Sequence, residues 1–211
     1  MKLGLSKWPL ASLSGTLVIL FYCLFTFTSW FLYPEPLGPL THYLSRLGDF
    51  VYSPFGAYFY NAGCILTGAA LIPFFIGLRQ WYTRGRLQRG ILIIGQVAGV
   101  CSAAALIMIG VFSEDKGSPH MLASSIFFEL NFLVLILVNV ALLLHPRFMK
   151  LIALYGAAVA ISSLVFAFVV EGPLVEWYTV FASLAYVGFL SVDTCRLAKA
   201  PVDTELAAPS L

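Results

Sequence analysis

The chain has 211 residues, 60% hydrophobic and only 10% charged, with a formal net charge of +2. A water-soluble domain carries roughly 25% charged residues, so this chain lacks the polar surface to cover a globular core in water. Its apolar stretches are continuous rather than alternating, which excludes a membrane β-barrel.

Six apolar runs are long enough, at about 18 residues or more, to cross a hydrocarbon layer as helices. They are Leu10–Tyr33, Ala57–Leu78, Gly90–Phe112, Met121–Leu144, Leu151–Val170 and Trp177–Leu197. Lys2 and Lys7 give the first run the look of a basic leader. The run is too long for a signal peptide and lacks a small-residue cleavage site, so it reads as a retained helix. The expected fold is an all-α membrane protein of six transmembrane helices in three hairpins over residues 1–199. A short polar tail, 200–211, is expected to be disordered.

The first connection, Pro34 to Gly56, is the longest. Leu40, Tyr43, Leu44, Leu47 and Val51 recur at helical spacing in it. They predict a short amphipathic helix over Thr41–Tyr52, lying at the lipid boundary or capping the bundle. His42 and Asp49 would then sit over the ends of the spanning helices. The second helix opens after Ser53-Pro54, a helix-start signal, and carries Asn61. A buried amide needs a partner in lipid, and the third or fourth helix is the expected one. Pro73 is the only proline well inside a helix. The link "RQWYTRGRLQRG" is basic, with Trp81 and Tyr82 at headgroup depth. The third helix carries Gly95, Gly99 and Ala103 four residues apart, and the fifth carries Gly156 and Ala160. Such small residues make packing surfaces.

The turn "GVFSEDKGSPH" concentrates Glu114, Asp115, Lys116 and His120 in a chain that avoids charge. Outer turns need polar residues, so the bland reading is a plain loop. The sharper reading turns Asp115 and His120 inward as a pair at the start of the fourth helix, which Ser118-Pro119 opens. The fourth helix then carries Ser124, Ser125, Glu129, Asn131 and Asn139. His120, Ser124 and Asn131 share one face, and Glu129 points roughly the other way. An ionisable group at that depth faces the bundle interior or a wet cavity by default. Asp193, three residues from Arg196 near the end of the sixth run, is expected to pair with it. Cys23, Cys64, Cys101 and Cys195 all fall inside helices at spacings that fit neither a metal motif nor a disulfide framework.

Lys and Arg collect in cytoplasmic loops. Lys2, Lys7, Arg79, Arg84, Arg86, Arg89, Arg147, Lys150, Arg196 and Lys199 lie on one side, and only Arg46 and Lys116 on the other. Both termini are therefore expected in the cytoplasm of a cell-membrane protein. Glu35, Asp49, Glu114, Asp115, Glu171 and Glu176 make the opposite face acidic. The three outer turns, "FLYPEPLGP", "GVFSEDKGSP" and "FVVEGPLVE", look alike.

The segments "SRLGD", "SPFGAYFYNAGCILTG" and "GVFSEDKGSPHMLASSIFF", spread between Leu10 and Leu197, resemble the six-helix prokaryotic proteins grouped as domain of unknown function 998. More remotely they are similar to the FRAG/DRAM/SFK membrane proteins, some of them linked to lipid remodelling. The resemblance is most specific at Asn61 with Gly63 and Gly68, and from Asp115 to His120. Where the pattern has a proline before the acid pair, this chain has Ser113. The resemblance implies a six-helix bundle with a polar site at the outer face, and no particular reaction.

The residues favour binding or remodelling of a lipid or another amphipathic ligand. The expected cavity opens outward between the second, third and fourth helices. Asn61, Asp115, His120, Ser124 and Glu129 line it, and Pro34–Gly56 forms a lid. Membrane lipids and an amphipathic small molecule are the expected partners, with no nucleic acid and no cofactor. One alternative is a membrane hydrolase, built on Asp, Glu and His with a metal or on Ser45, Asp115 and His120. No His-x-x-x-His pair supports a metal, and the balance is against an enzyme. The other alternative is a small transporter using Glu129, but paired interrupted helices, the usual signature, are missing.

Overall fold

A computed structural model describes residues 8–170 and 172–199. Lys2, Lys7, Glu171 and the tail 200–211 lie outside the described residues. The described residues form six long helices and no strand: α1 Leu10–Phe31, α2 Gly56–Gly77, α3 Arg86–Val111, α4 Ser118–Leu143, α5 Lys150–Val169 and α6 Pro173–Lys199. All six are long and apolar enough to cross a membrane. Each expected run lies within a few residues of its helix.

Local chemistry sets several helix ends. Gly117 turns the chain at φ +67° before α4, a left-handed conformation that glycine adopts without a side-chain clash. Pro119 then occupies the first turn of α4, where its missing N–H costs no hydrogen bond. α2 starts at Gly56, later than Ser53-Pro54 suggests, and the Ser53 carbonyl accepts the N–H of Ala57 at 2.9 Å. Pro73 lies inside α2 without ending it, and the helix tightens into a 3-10 turn at Leu78–Trp81.

Each helix packs against the next in the chain, and α6 returns to pack against α1, which closes a ring. The Ser12 hydroxyl seals that return by donating to the carbonyl of Ser191 at 2.7 Å. The small-residue positions serve close packing. Gly95 faces Val138 of α4 and Gly99 faces the Phe75 ring of α2. Gly110 lies against the backbone of Asn61 so closely that a side chain would overlap the carbonyl. Large apolar side chains such as Leu20, Ile94, Leu151, Phe168 and Val192 point outward, the surface that acyl chains would cover. A cavity of about 70 Å³ lies within the ring, with Thr67, Ser102 and Asn131 among its walls.

At one end, here the arginine end, the Trp81 indole donates to the Thr194 hydroxyl at 2.9 Å. Asp193 accepts from the Met149 N–H at 3.1 Å and from Arg196 Nε at 2.6 Å, so the expected Asp193–Arg196 pair forms. All four cysteines are free.

The first connection covers the other end, here the loop end. The expected amphipathic helix over Thr41–Tyr52 does not form; a 3-10 turn at Leu44–Gly48 takes its place. A continuous helix would have buried the whole stripe. Leu44 and Leu47 are fully buried, but Leu40 and Val51 are 79% and 74% exposed. Backbone groups that a longer helix would use internally bond instead to side chains of the bundle. Ser29 donates to the Leu47 carbonyl at 3.2 Å and Asn61 to the Gly48 carbonyl at 2.9 Å. Glu176 accepts the N–H groups of Leu44 at 2.8 Å and Ser45 at 3.1 Å. The indoles of Trp30 and Trp177 donate to the carbonyls of Leu37 and His42, each at 2.9 Å. The segment is a pinned cap.

Candidate functional site

An open cleft of about 790 Å³ lies at the loop end. The first loop supplies Tyr43 and Ser45, and the turn before α4 supplies Glu114 and Gly117. α4 contributes His120, Met121, Ser124, Ser125 and Phe128, while Ala167 of α5 and Val175 and Glu176 of α6 complete the walls. The volume falls within the roughly 300–1,000 Å³ of small-molecule sites, which combine apolar walls with a few placed polar groups.

His120 is 5% exposed, in the first turn of α4. Its Nδ1 lies 2.7 Å from the carbonyl oxygen of Phe112 at the end of α3. A carbonyl can only accept, so Nδ1 carries a proton and Nε2 is the ring nitrogen left toward other groups. Ser124 follows one turn later, half-buried in the same wall. Glu114 sits in a 3-10 turn at Glu114–Lys116, with Oε1 3.8 Å from Arg46 Nη1. Its Oε2 is buried without a hydrogen-bond partner. Burial pushes the Glu114 carboxyl up to about 7 against the opposing pull of Arg46. Arg46 also lies 3.7 Å from Asp49 Oδ2 and stacks 3.5 Å over the Tyr52 ring. One guanidinium thus serves two carboxylates at the loop end.

The structure gathers part of the expected site and moves the rest. His120 and Ser124 meet in one cleft. Asn61 is buried as expected, but its partner is the Gly48 carbonyl of the first loop rather than α3 or α4. Asp115 does not pair with His120. Its carboxylate takes Lys116 Nζ at 2.6 Å, and that bond holds its pKa below the usual range. The Phe112 carbonyl has the place beside His120 that Asp115 was expected to fill. Ser45, Asp115 and His120 therefore do not assemble as a triad. Glu129 is exposed and lines a groove at the outside of α4 rather than facing the bundle interior. It follows His120 by nine residues, a half-turn out of phase, and the inward face goes to Ala123, Val134, Leu135 and Val138. The cleft lies among α4, α5 and α6 rather than α2, α3 and α4. Asn61, Gly48 and the close approach of Gly110 fill the space between α2 and α3.

Sequence reasoning missed Glu114 and Glu176 as site residues. Glu114 belongs to the charged turn, but sequence proximity favours its neighbour Asp115 as the partner of His120. Glu176 had one signal, an acid in the first turn of a spanning helix. Nothing in the sequence shows that it reaches backbone groups 131 and 132 residues earlier. The described residues bring no three His, Cys, Asp or Glu side chains together as a metal set.

The chain matches the family model described as protein of unknown function (DUF998) over residues 16–193. It belongs to that family. No curated protein and no solved structure matches it, so the remote likeness to the FRAG/DRAM/SFK proteins has no match behind it.

Proposed function

We propose that this DUF998 protein is a multi-pass membrane protein that binds the polar head of an amphipathic, membrane-derived ligand in the cleft at its loop end. Its helices would form three hairpins, with the arginine end and both termini in the cytoplasm and the cleft outside. The observation that carries this reading is the make-up of the cleft. Polar groups from the first loop, the turn before α4, α4 and α6 converge on a single space of about 790 Å³ whose remaining walls, Met121, Phe128, Ala167 and Val175, are apolar. Such a surface suits a molecule that is polar at one end and apolar at the other. The pinned cap supports the reading, because α6 bonds Ser45 and, on either side of Tyr43, the backbone of His42 and Leu44. The orientation rests on the placing of Lys and Arg.

The test is to isolate the protein from membranes in a mild detergent and identify the amphiphiles that remain bound. Ser124→Trp, which fills the cleft from a half-buried position, is the comparison. The expected result is one enriched species with the wild type that is lost with the variant. Identical lipid complements from both proteins would overturn the reading.

A further inference from the structure

Below the cleft, α4, α5 and α6 leave a groove of about 270 Å³ along the outer wall of the bundle. Phe128, Ala167 and Val175 border both spaces, so groove and cleft adjoin. In the groove wall Ser163 is 5% exposed and its hydroxyl has no hydrogen-bond partner. Its neighbour Ser162 makes the usual bond back to the Ala158 carbonyl, at 2.6 Å; Ser163 makes none. At the edge of the groove stands Glu129, exposed, about 16 Å along α4 from Ser118. At that depth a carboxylate without a partner is costly, and no basic side chain among the described residues pairs with it.

The polar groups along this track of cleft and adjoining groove share one deficiency. Glu129 and Glu114 bring carboxyl groups, and Glu176 brings one already bonded to the Leu44 and Ser45 N–H groups. The single guanidinium nearby, Arg46, is already divided between Glu114 and Asp49. The track lacks a cationic donor. An anionic phosphate would meet carboxylates of its own sign. The groove is smaller than the roughly 300 Å³ lower bound of sites that enclose a whole ligand, which suits one hydrocarbon chain.

Resting on the cleft reading, we propose that cleft and groove form one site for a single-chain amphiphile bearing a protonated amine, which enters sideways from the bilayer. The ammonium lies in the cleft beside Glu114, whose Oε2 has no partner, and the chain runs down the groove. Glu129 pairs with the amine as it passes the edge.

The test uses the full chain in nanodiscs with three photoreactive probes: a long-chain primary amine carrying a diazirine in mid-chain, the corresponding alcohol, and a short-chain amine. Cross-linked peptides are mapped by mass spectrometry. The long amine should label the α4 and α5 segments that wall the groove, and unlabelled amine should compete it away. The alcohol should label them less by roughly tenfold or more, the factor that one charge-assisted hydrogen bond supplies. Leu164→Trp, which fills the groove from a partly exposed position, should abolish groove labelling and leave cleft labelling by the short amine. Glu129→Gln should slow labelling by the long amine. Cleft labelling by the short amine with no saturable groove labelling by the long one would overturn this proposal and leave the cleft reading standing. No saturable labelling by any probe would overturn both. Equal labelling by amine and alcohol would overturn the assignment of an amine.

Discussion

Replacing Glu176 with alanine should unpin the first loop without dismantling the bundle. The carboxylate accepts two N–H groups at the start of the 3-10 turn, Leu44 at 2.8 Å and Ser45 at 3.1 Å. Leu44 is fully buried. Alanine leaves both donors without an acceptor. The buried Leu44 donor left unpaired costs about 1–3 kcal/mol, while the half-buried Ser45 N–H lines the open cleft, where water can replace the carboxylate. Ser29, Asn61, Trp30 and Trp177 still hold other parts of the loop, so the cost falls on local opening. Arg46 is the only Lys or Arg between Pro34 and Gly56, and the Leu47 that follows it is fully buried. Trypsin should therefore cut there only when the loop opens. If opening and closing are fast relative to cutting, the rate follows the open population, and the lower bound of about 1 kcal/mol corresponds to about fivefold. The assay follows the fragment ending at Arg46 over time, by mass spectrometry, for protein in nanodiscs. Glu176→Gln should fall between the two, since an amide oxygen still serves one donor. An alanine variant cut at the wild-type rate would refute the pinning role of Glu176.

Asn61→Leu removes the donor to the buried Gly48 carbonyl and should lower stability by about 1–3 kcal/mol, read as a fall in Tm in detergent; an unchanged Tm contradicts the bond's importance. Glu114 has a folded pKa of about 7 against an ordinary 4.5, so between those values the folded state holds more protons than the unfolded. Its contribution to stability therefore falls as pH rises through that window and stays low above it. Glu114→Gln should match the wild type near pH 4 and be more stable at pH 8, and equal unfolding midpoints at pH 8 would count against the burial. In a cysteine-free background, an impermeant maleimide applied to intact cells should label a cysteine at Lys116 and not one at Arg84; the reverse would invert the orientation.

The helices were legible because lipid solvation demands long apolar runs with satisfied backbones, and the six runs from Leu10 to Leu197 left no competing reading. His120 and Ser124 were legible for a similar reason: a four-residue spacing places both on one helix face. The loop was misread because helical spacing in Leu40–Val51 describes a surface without stating what will cover it. Ser29, Asn61, Glu176 and Trp177 compete for its backbone groups, and none of those pairings has a local signature. Glu129 lines an outer groove rather than the bundle interior because helical phase, nine residues from His120, outweighs the general tendency of intramembrane acids to face inward. Asp115 was chosen over Glu114 on proximity to His120. The turn gives Asp115 to Lys116, and Glu114 to the cleft and Arg46.

Closure of the ring through α6 has a consequence for how the chain is assembled in the bilayer. The Ser12–Ser191 bond joins residues 179 apart, and loops of that length close late. α6 also supplies the partners of Trp81, of the Met149 N–H and of the Leu44 turn, and the Tyr186 hydroxyl that bonds Asn139 at 3.1 Å. A nascent chain with five helices inserted would present those groups unpaired at membrane depth or at the bilayer surface. Insertion of α6 is the step that ends the exposure.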